Sequence, residues 1–327
     1  MEHDTRRGPH ASQALMHGIT LLGILLAGTS PSLAGSGMYP YVDAKAMSDK
    51  DTTKVLFIGN SFTYFWDMPG LVMNLSASAQ PPRKLYAAHV TGGGLTLEDH
   101  WKSGKAMEAI GKYDWDVIVL QTWREPGKDK DLETYVPLFA QAIHKDRPKA
   151  KILIYMPEYT SITFGAPTSQ PVAAVDLPKL QQAYAAAAAK AKATVVPASW
   201  AWMRALREKA PPEQWFWKTN DGHPSVRRQY LTACMMYAAI YESSPVGLRL
   251  RQISVMAKDA NPFTAPAQTE TLSEAYARYM QQIAWEAVRD HSGNPRLSAS
   301  QASTATAPTS QPTTTSASTP TAPRSTR

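Results

Sequence analysis

The chain has one cysteine in 327 residues, so neither an intrachain disulfide nor a thiolate metal cluster can form. Cys234 lies within the apolar run Leu231-Thr232-Ala233-Cys234-Met235-Met236-Tyr237 and reads as a small buried hydrophobe. Long apolar runs are missing too. The one at 18–28 falls short of the roughly 20 residues that a bilayer span needs. Charge of one sign is scarce: of the net +7, three arginines in the last 34 residues account for +3, which leaves +4 scattered over the body. That is a solubility-scale charge and not the basic stripe of a nucleic-acid-binding protein, so no nucleic-acid partner is expected. There is no internal repeat and no lipobox cysteine.

What is present divides the chain in three. Arg6 and Arg7, the apolar run and the small residues of Ser32-Leu33-Ala34 make 1–34 a secretory signal peptide, with an uncleaved anchor as the alternative. The expected location is therefore exported, whether periplasmic, cell-surface or extracellular, with no stable membrane insertion after cleavage. From 294 to 327 the sequence is almost entirely Ser, Thr, Ala, Pro and Gln, which cannot bury enough to offset the entropy of ordering. That leaves 35–293 as one domain.

Within it, β-rich runs near 54–58, 85–90, 116–120, 151–156 and 194–197 alternate with helical patterns near 68–79, 97–111, 131–146 and 178–193. The alternation predicts a three-layer α/β fold, a flavodoxin-like parallel sheet with helices on both faces. Ser199 is placed as the cap of a helix through Trp202 and Leu206, a further helix opens at Pro224, and a last one covers about 271–290. The stretches 159–177 and 244–270 break the pattern and read as long loops.

Chemistry concentrates in two places. Lys54-Val55-Leu56-Phe57-Ile58 runs as a strand into Gly59-Asn60-Ser61-Phe62-Thr63, which sets one hydroxyl just past a strand end, where ligands of open α/β sheets bind. Far downstream, Asn220-Asp221-Gly222-His223-Pro224-Ser225 sets an acidic residue and a histidine just before an apolar helix. A serine hydroxyl is a weak nucleophile until a base reaches it, so Ser61 reads as the nucleophile and His223 as its general base. Taken singly, Ser61 is also a plain capping serine and His223 a loop histidine.

The two segments together, over about 54–247, resemble the SGNH (GDSL-like) hydrolases, in the branch that reads Gly-Asn-Ser-Phe-Thr in its first block. The resemblance implies an ester hydrolase without cofactor or metal. It implies an oxyanion hole whose first donor is the Ser61 backbone N–H and whose second comes from Thr91-Gly92-Gly93-Gly94-Leu95-Thr96, at Gly94. A phosphate loop is the rival reading of three glycines, but no Gly-Lys-Ser/Thr follows. The family's third donor is an Asn after the third strand, where this chain has Trp123; Gln121, two residues earlier, either supplies the amide or caps its own loop. The family's Asp lies three residues before its His, where this chain has Asn220, and Asp221 is one residue closer. Either could accept from the imidazole Nδ1–H; only Asp221 also stabilises the imidazolium.

His100, Trp123 and Trp217 are candidate substrate contacts, since aromatic faces suit sugar rings; most tryptophans are equally at home in a core. The leading expectation is an exported serine esterase acting on a small-molecule or polysaccharide ester, with carbohydrate O-acyl groups foremost. A glycan-binding module on a hydrolase scaffold is the second reading. A metal-dependent phosphoesterase built on His100, Asp221 and His223 is the third.

Overall fold

A computed structural model of the chain describes residues 43–122, 130–157, 177–208, 223–255 and 268–298. Its elements in order are α1 (Ala44–Ser48), β1 (Thr53–Gly59), α2 (Ser61–Tyr64), a 3-10 turn (Phe65–Asp67), α3 (Met68–Ala77), β2 (Leu85–Thr91), α4 (Leu97–Ser103), α5 (Lys105–Lys112) and β3 (Val117–Gln121). A π-helical turn (Asp131–Tyr135), α6 (Val136–Asp146), β4 (Lys151–Met156), α7 (Leu177–Ala191), β5 (Thr194–Pro197), α8 (Ala198–Arg207) and α9 (Val226–Tyr241) follow. The described part closes with β6 (Gln252–Val255), β7 (Gln268–Thr271) and α10 (Glu274–His291).

Among the described residues five strands form one parallel sheet in the order β2-β1-β3-β4-β5, the flavodoxin-like order. The continuous apolar runs in the strands follow from burial on both sheet faces. In β1, Val55 and Phe57 enter a core shared with α3, α8, α9 and α10, while Leu56 and Ile58 enter a second core shared with α4, α5, α6 and α7. The period of two along each strand therefore sorts its side chains between two helical layers. This is the three-layer α/β architecture that the alternation predicts.

Several local expectations are corrected. The helix expected over 97–111 is two helices, because Gly104 adopts φ +73 and turns the chain between α4 and α5. Helix α9 starts at Val226 and not at Pro224; Ser225 is its cap, accepting from the Arg228 N–H. Helix α10 starts at Glu274, capped by Ser273. Ser199 is not at the N-cap position, which Pro197 takes: it is the second residue of α8 and donates its hydroxyl to the Pro157 carbonyl. The stretch 244–270 contains β6, which pairs antiparallel with β7. Packed residues also continue past 293, since Leu297 is 1% exposed in the α9–α10 core. Apart from Leu177, the stretch 159–177 lies outside the described residues.

One buried polar cluster ties the chain after α9 to both long helices. Gln281 of α10 accepts from the Gly247 N–H at 2.9 Å and donates to the Tyr230 hydroxyl at 2.9 Å and to the Leu248 carbonyl at 3.0 Å. Tyr230 in turn donates to the Leu250 carbonyl at 3.0 Å. Truncation at Gln281 strands buried donors and acceptors, and an unsatisfied buried group costs more than the net value of the bond it lost. Gln281→Ala is expected to lower stability by about 2–4 kcal/mol in urea unfolding followed by circular dichroism, with the native spectrum unchanged.

Candidate active site

The site begins with a strand end that has no side chain. β1 and β3 lie side by side, with Ile58 beside Leu120, and the next residues are Gly59 and Gln121. A Cβ on Gly59 would stand 2.4 Å from Gln121 Oε1 and 2.7 Å from Thr63 Oγ1, so only glycine admits the Gln121 side chain over the strand end. Gln121 is 0% exposed. Its Oε1 accepts from the Asn60 backbone N–H at 2.7 Å and from the Thr63 hydroxyl at 3.0 Å. The Asn60 N–H fixes which way the amide faces, because the opposite orientation would set donor against donor. The Gln121 Nε2 has no hydrogen-bond partner among the described residues.

Asn60 is the N-cap of α2, and both ends of its amide are used: Oδ1 accepts from the Phe62 N–H at 3.1 Å and Nδ2 donates to the Leu95 carbonyl at 3.0 Å. Ser61 is thereby the first helical residue. The N–H at that position has no partner inside its helix and is free to meet a ligand oxygen. The glycine block sits alongside. Gly92 donates to the Gly59 carbonyl at 3.3 Å, and the Leu95 N–H closes a turn on the Gly92 carbonyl at 3.2 Å. Gly94 supplies the positive φ, +68, that the third residue of such a turn takes, and it is exposed.

The turn leads into α4, whose start is doubly held. Thr96 and Asp99 form a capping box. Asp131, 2% exposed, accepts from the Leu97 and Glu98 N–H groups at 2.9 and 3.1 Å and from the Thr122 hydroxyl at 2.5 Å. A buried carboxylate is well placed against a helix N-terminus, where the dipole favours negative charge. The glycine turn is thus tied to the end of β3.

The histidine arrives from the other end of the domain. His223 Nε2 lies 2.9 Å from Ser61 Oγ. The Phe65 ring stacks on the imidazole with centroids 3.9 Å apart and planes 28° from parallel. Next to it, the Trp66 indole N–H donates to the Pro224 carbonyl at 2.7 Å. Gln229 of α9 donates from Nε2 to the Phe62 and Phe65 carbonyls, each at 3.0 Å. Ser61 can donate its hydroxyl proton to Nε2 when the imidazole carries its own on Nδ1, the arrangement a general base requires.

Of the residues expected to form the site, the fold brings Ser61 and His223 into contact, with Gln121 and Gly94 on the flanking strand end and turn. His100 is placed differently from the expected substrate contact. It is 1% exposed, and its Nε2 donates to the Gly59 carbonyl at 2.8 Å, so it holds the end of β1 from behind. Burial pushes its pKa down, against a smaller opposing pull from that hydrogen bond. Trp123, Trp217, Asn220 and Asp221 lie outside the described residues. Among the described residues no group of three His, Cys, Asp or Glu side chains is arranged to hold a metal ion. Phe65, Trp66, Gln229 and Asp131 are parts of the site that sequence reasoning does not single out. The Asn60 cap alone carried a signal, since Asn directly before a helical Ser is a common N-cap.

No protein-family model and no curated protein matches the chain. Among solved structures, a DUF4886 family protein from Bacteroides uniformis matches with a TM-score of 0.54 at 15% identity, over 73% of this chain and 95% of that one. That likeness establishes a shared fold. A protein from Slackia heliotrinireducens proposed to be an SGNH hydrolase matches with a TM-score of 0.44 at 17% identity, over 58% of this chain and 99% of its own. An acetylxylan esterase from Geobacillus stearothermophilus gives a TM-score of 0.42 at 17% identity, over 59% and 96%.

The glycine at the strand end yields a direct test. Gly59→Ala forces the Gln121 amide and the Thr63 hydroxyl away from the added methyl, an overpacking that costs roughly 1–3 kcal/mol. The variant is expected to melt at a lower temperature and, at a temperature where it is still folded, to react more slowly at Ser61 with a fluorophosphonate probe.

Proposed function

We propose that this protein is an exported serine esterase of the SGNH type, acting through an acyl-enzyme and removing O-acyl groups, acetyl foremost, from a carbohydrate. One observation carries the reading: Ser61 Oγ and His223 Nε2 are 2.9 Å apart although 162 residues separate them in the chain. The pair sits where the strand order reverses between β1 and β3, the ligand crevice of open α/β sheets. A glycan-binding module would have no use for that contact.

Ser61 Oγ attacks the ester carbonyl carbon while its proton passes to His223 Nε2. The negative charge that develops on the carbonyl oxygen is received by the Ser61 and Gly94 backbone N–H groups. The third donor is the Gln121 Nε2, whose oxygen is already committed to Asn60 and Thr63 and whose buried amide hydrogens lack another partner among the described residues. Collapse breaks the bond to the alcohol, and the imidazolium hands its proton to the departing oxygen. Water then repeats the sequence on the acyl-serine and releases the acid. Asp221 orients the imidazole through Nδ1–H and stabilises the imidazolium, a role that Asn220 would fill less well because it carries no charge. Trp123 and Trp217 serve as sugar platforms, which together with export supports the carbohydrate part of the reading.

Ser61→Ala is expected to abolish hydrolysis of p-nitrophenyl acetate and of acetylated glycans, and to abolish covalent labelling by a fluorophosphonate, with an unchanged melting temperature. Retained turnover would remove the assignment. The orienting residue is tested separately. Asp221→Asn is expected to cut kcat by up to roughly 10⁴-fold, whereas Asn220→Ala should cost far less; the opposite ranking would give the role to Asn220.

A further inference from the structure

We infer that Phe65 and Trp66, in the turn just after the nucleophile, are positioning residues for His223, so that one short segment both presents Ser61 and aligns its base. The inference rests on the esterase reading and deepens it. Its starting point is an unusual backbone. Trp66 (φ 53, ψ 26) and Asp67 (φ 49, ψ 53) are two successive non-glycine residues in the left-handed region. Each side chain there is disfavoured by its own Cβ, and a bulky residue is rarely found so. Such a conformation persists only where surrounding contacts determine it.

Those contacts converge on the histidine. The strained turn swings the Trp66 indole onto the Pro224 carbonyl, one residue past His223, at 2.7 Å. Proline already fixes its own φ, so a hold on its carbonyl leaves the backbone at the base little freedom. The same turn lays the Phe65 ring flat on the imidazole at 3.9 Å, which limits rotation of the ring away from Ser61 Oγ. Gln229 holds the carbonyls of Phe62 and Phe65 from α9, the helix that His223 precedes, and Asp67 accepts from the Gly70 N–H at 3.2 Å to start α3. A right-handed path at Trp66 and Asp67 would change the course of the chain between the Phe65 ring and α3, and with it the aim of the Trp66 indole at the Pro224 carbonyl. The strain is maintained where the base must be placed.

A positioning role makes a prediction that a packing role does not. The base must also protonate the departing oxygen. An alkoxide needs that proton, whereas p-nitrophenolate leaves without it. Trp66→Phe keeps the aromatic bulk and removes the N–H; Phe65→Leu keeps the apolar volume and removes the stack. Each purified variant is assayed on p-nitrophenyl acetate and on an alkyl acetate, with Ser61→Ala alongside. Trp66→Phe is expected to lose about tenfold or more in kcat, with KM on p-nitrophenyl acetate within about twofold of the parent. The alkyl ester should suffer more in kcat/KM, which reports acylation and not hydrolysis of the shared acetyl-serine, raising the ratio of the two kcat/KM values by roughly threefold or more in both variants. A lower folded fraction would reduce both rates by the same factor and leave the ratio fixed. An unchanged ratio in both variants, with Ser61→Ala inactive, overturns the positioning role and leaves the esterase reading standing. Activity surviving in Ser61→Ala overturns both.

Discussion

Everything at the site depends on how the end of β1 satisfies its backbone. Where a central parallel strand turns into a helix, its last amide loses the ladder partner it would have had one residue earlier, and a buried N–H cannot be left unpaired without cost. Here the neighbouring strand supplies the partner through a side chain: Gln121 Oε1 takes the Asn60 N–H. The bond requires that nothing project from Gly59. It also sets the starting angle of α2, and hence the direction of Ser61. The Gly59 carbonyl is satisfied in the same manner from two sides, by the Gly92 N–H and the His100 ring. The carbonyl and the N–H of the single Gly59–Asn60 peptide therefore anchor three elements: the glycine turn, α4 and β3.

Two polar frames meet at the serine, and they come from opposite helical layers. One consists of Gln121, Asn60, Leu95, Thr96, Asp131 and Thr122, and it connects the ends of β1 and β3 to the start of α4. The other consists of Gln229, the carbonyls of Phe62 and Phe65, Trp66 and Pro224, and it ties the same turn to α9. Networks buried in low dielectric are strong when satisfied and costly when broken, which suits a geometry that must hold two side chains within a fraction of an ångström. His100 and Asp131 illustrate the principle. Both look like catalytic groups by residue type, and both are spent on holding the frame: His100 on the Gly59 carbonyl, Asp131 on two backbone N–H groups and the Thr122 hydroxyl.

How much of this was legible depends on the range of the forces involved. The strands read near 54–58, 85–90, 116–120, 151–156 and 194–197 lie within a residue or two of those observed, because burial on both faces leaves a continuous apolar run in the local sequence. Gly104 was visible as a residue but not as a break, since a helical glycine is tolerated until tertiary packing demands a turn. The β6–β7 pair was not legible: four-residue strands of mixed polarity have too little period to stand out from a loop. At the site, Ser61 and His223 announced themselves through turn chemistry and the company they keep. Phe65, Trp66 and Gln229 act through contacts between residues more than 150 apart, and no local pattern records such a contact.

Asn60 shows why a motif residue has to be read through its neighbours. An aspartate at this position would offer only acceptors when ionised. In this chain the same position accepts from the Phe62 N–H and also donates to the Leu95 carbonyl, which an amide can do and an ionised carboxylate cannot. A carboxylate there would face a carbonyl oxygen in a buried setting, a repulsion without a compensating donor. The donor matters because Leu95 ends the glycine turn that carries Gly94, and its carbonyl is the point at which that turn is fastened to the residue before Ser61. The asparagine thus links the start of α2 to the glycine turn through one side chain. The glutamine at the end of β3 completes the logic: it accepts the Asn60 N–H and leaves the Asn60 side chain free to reach across.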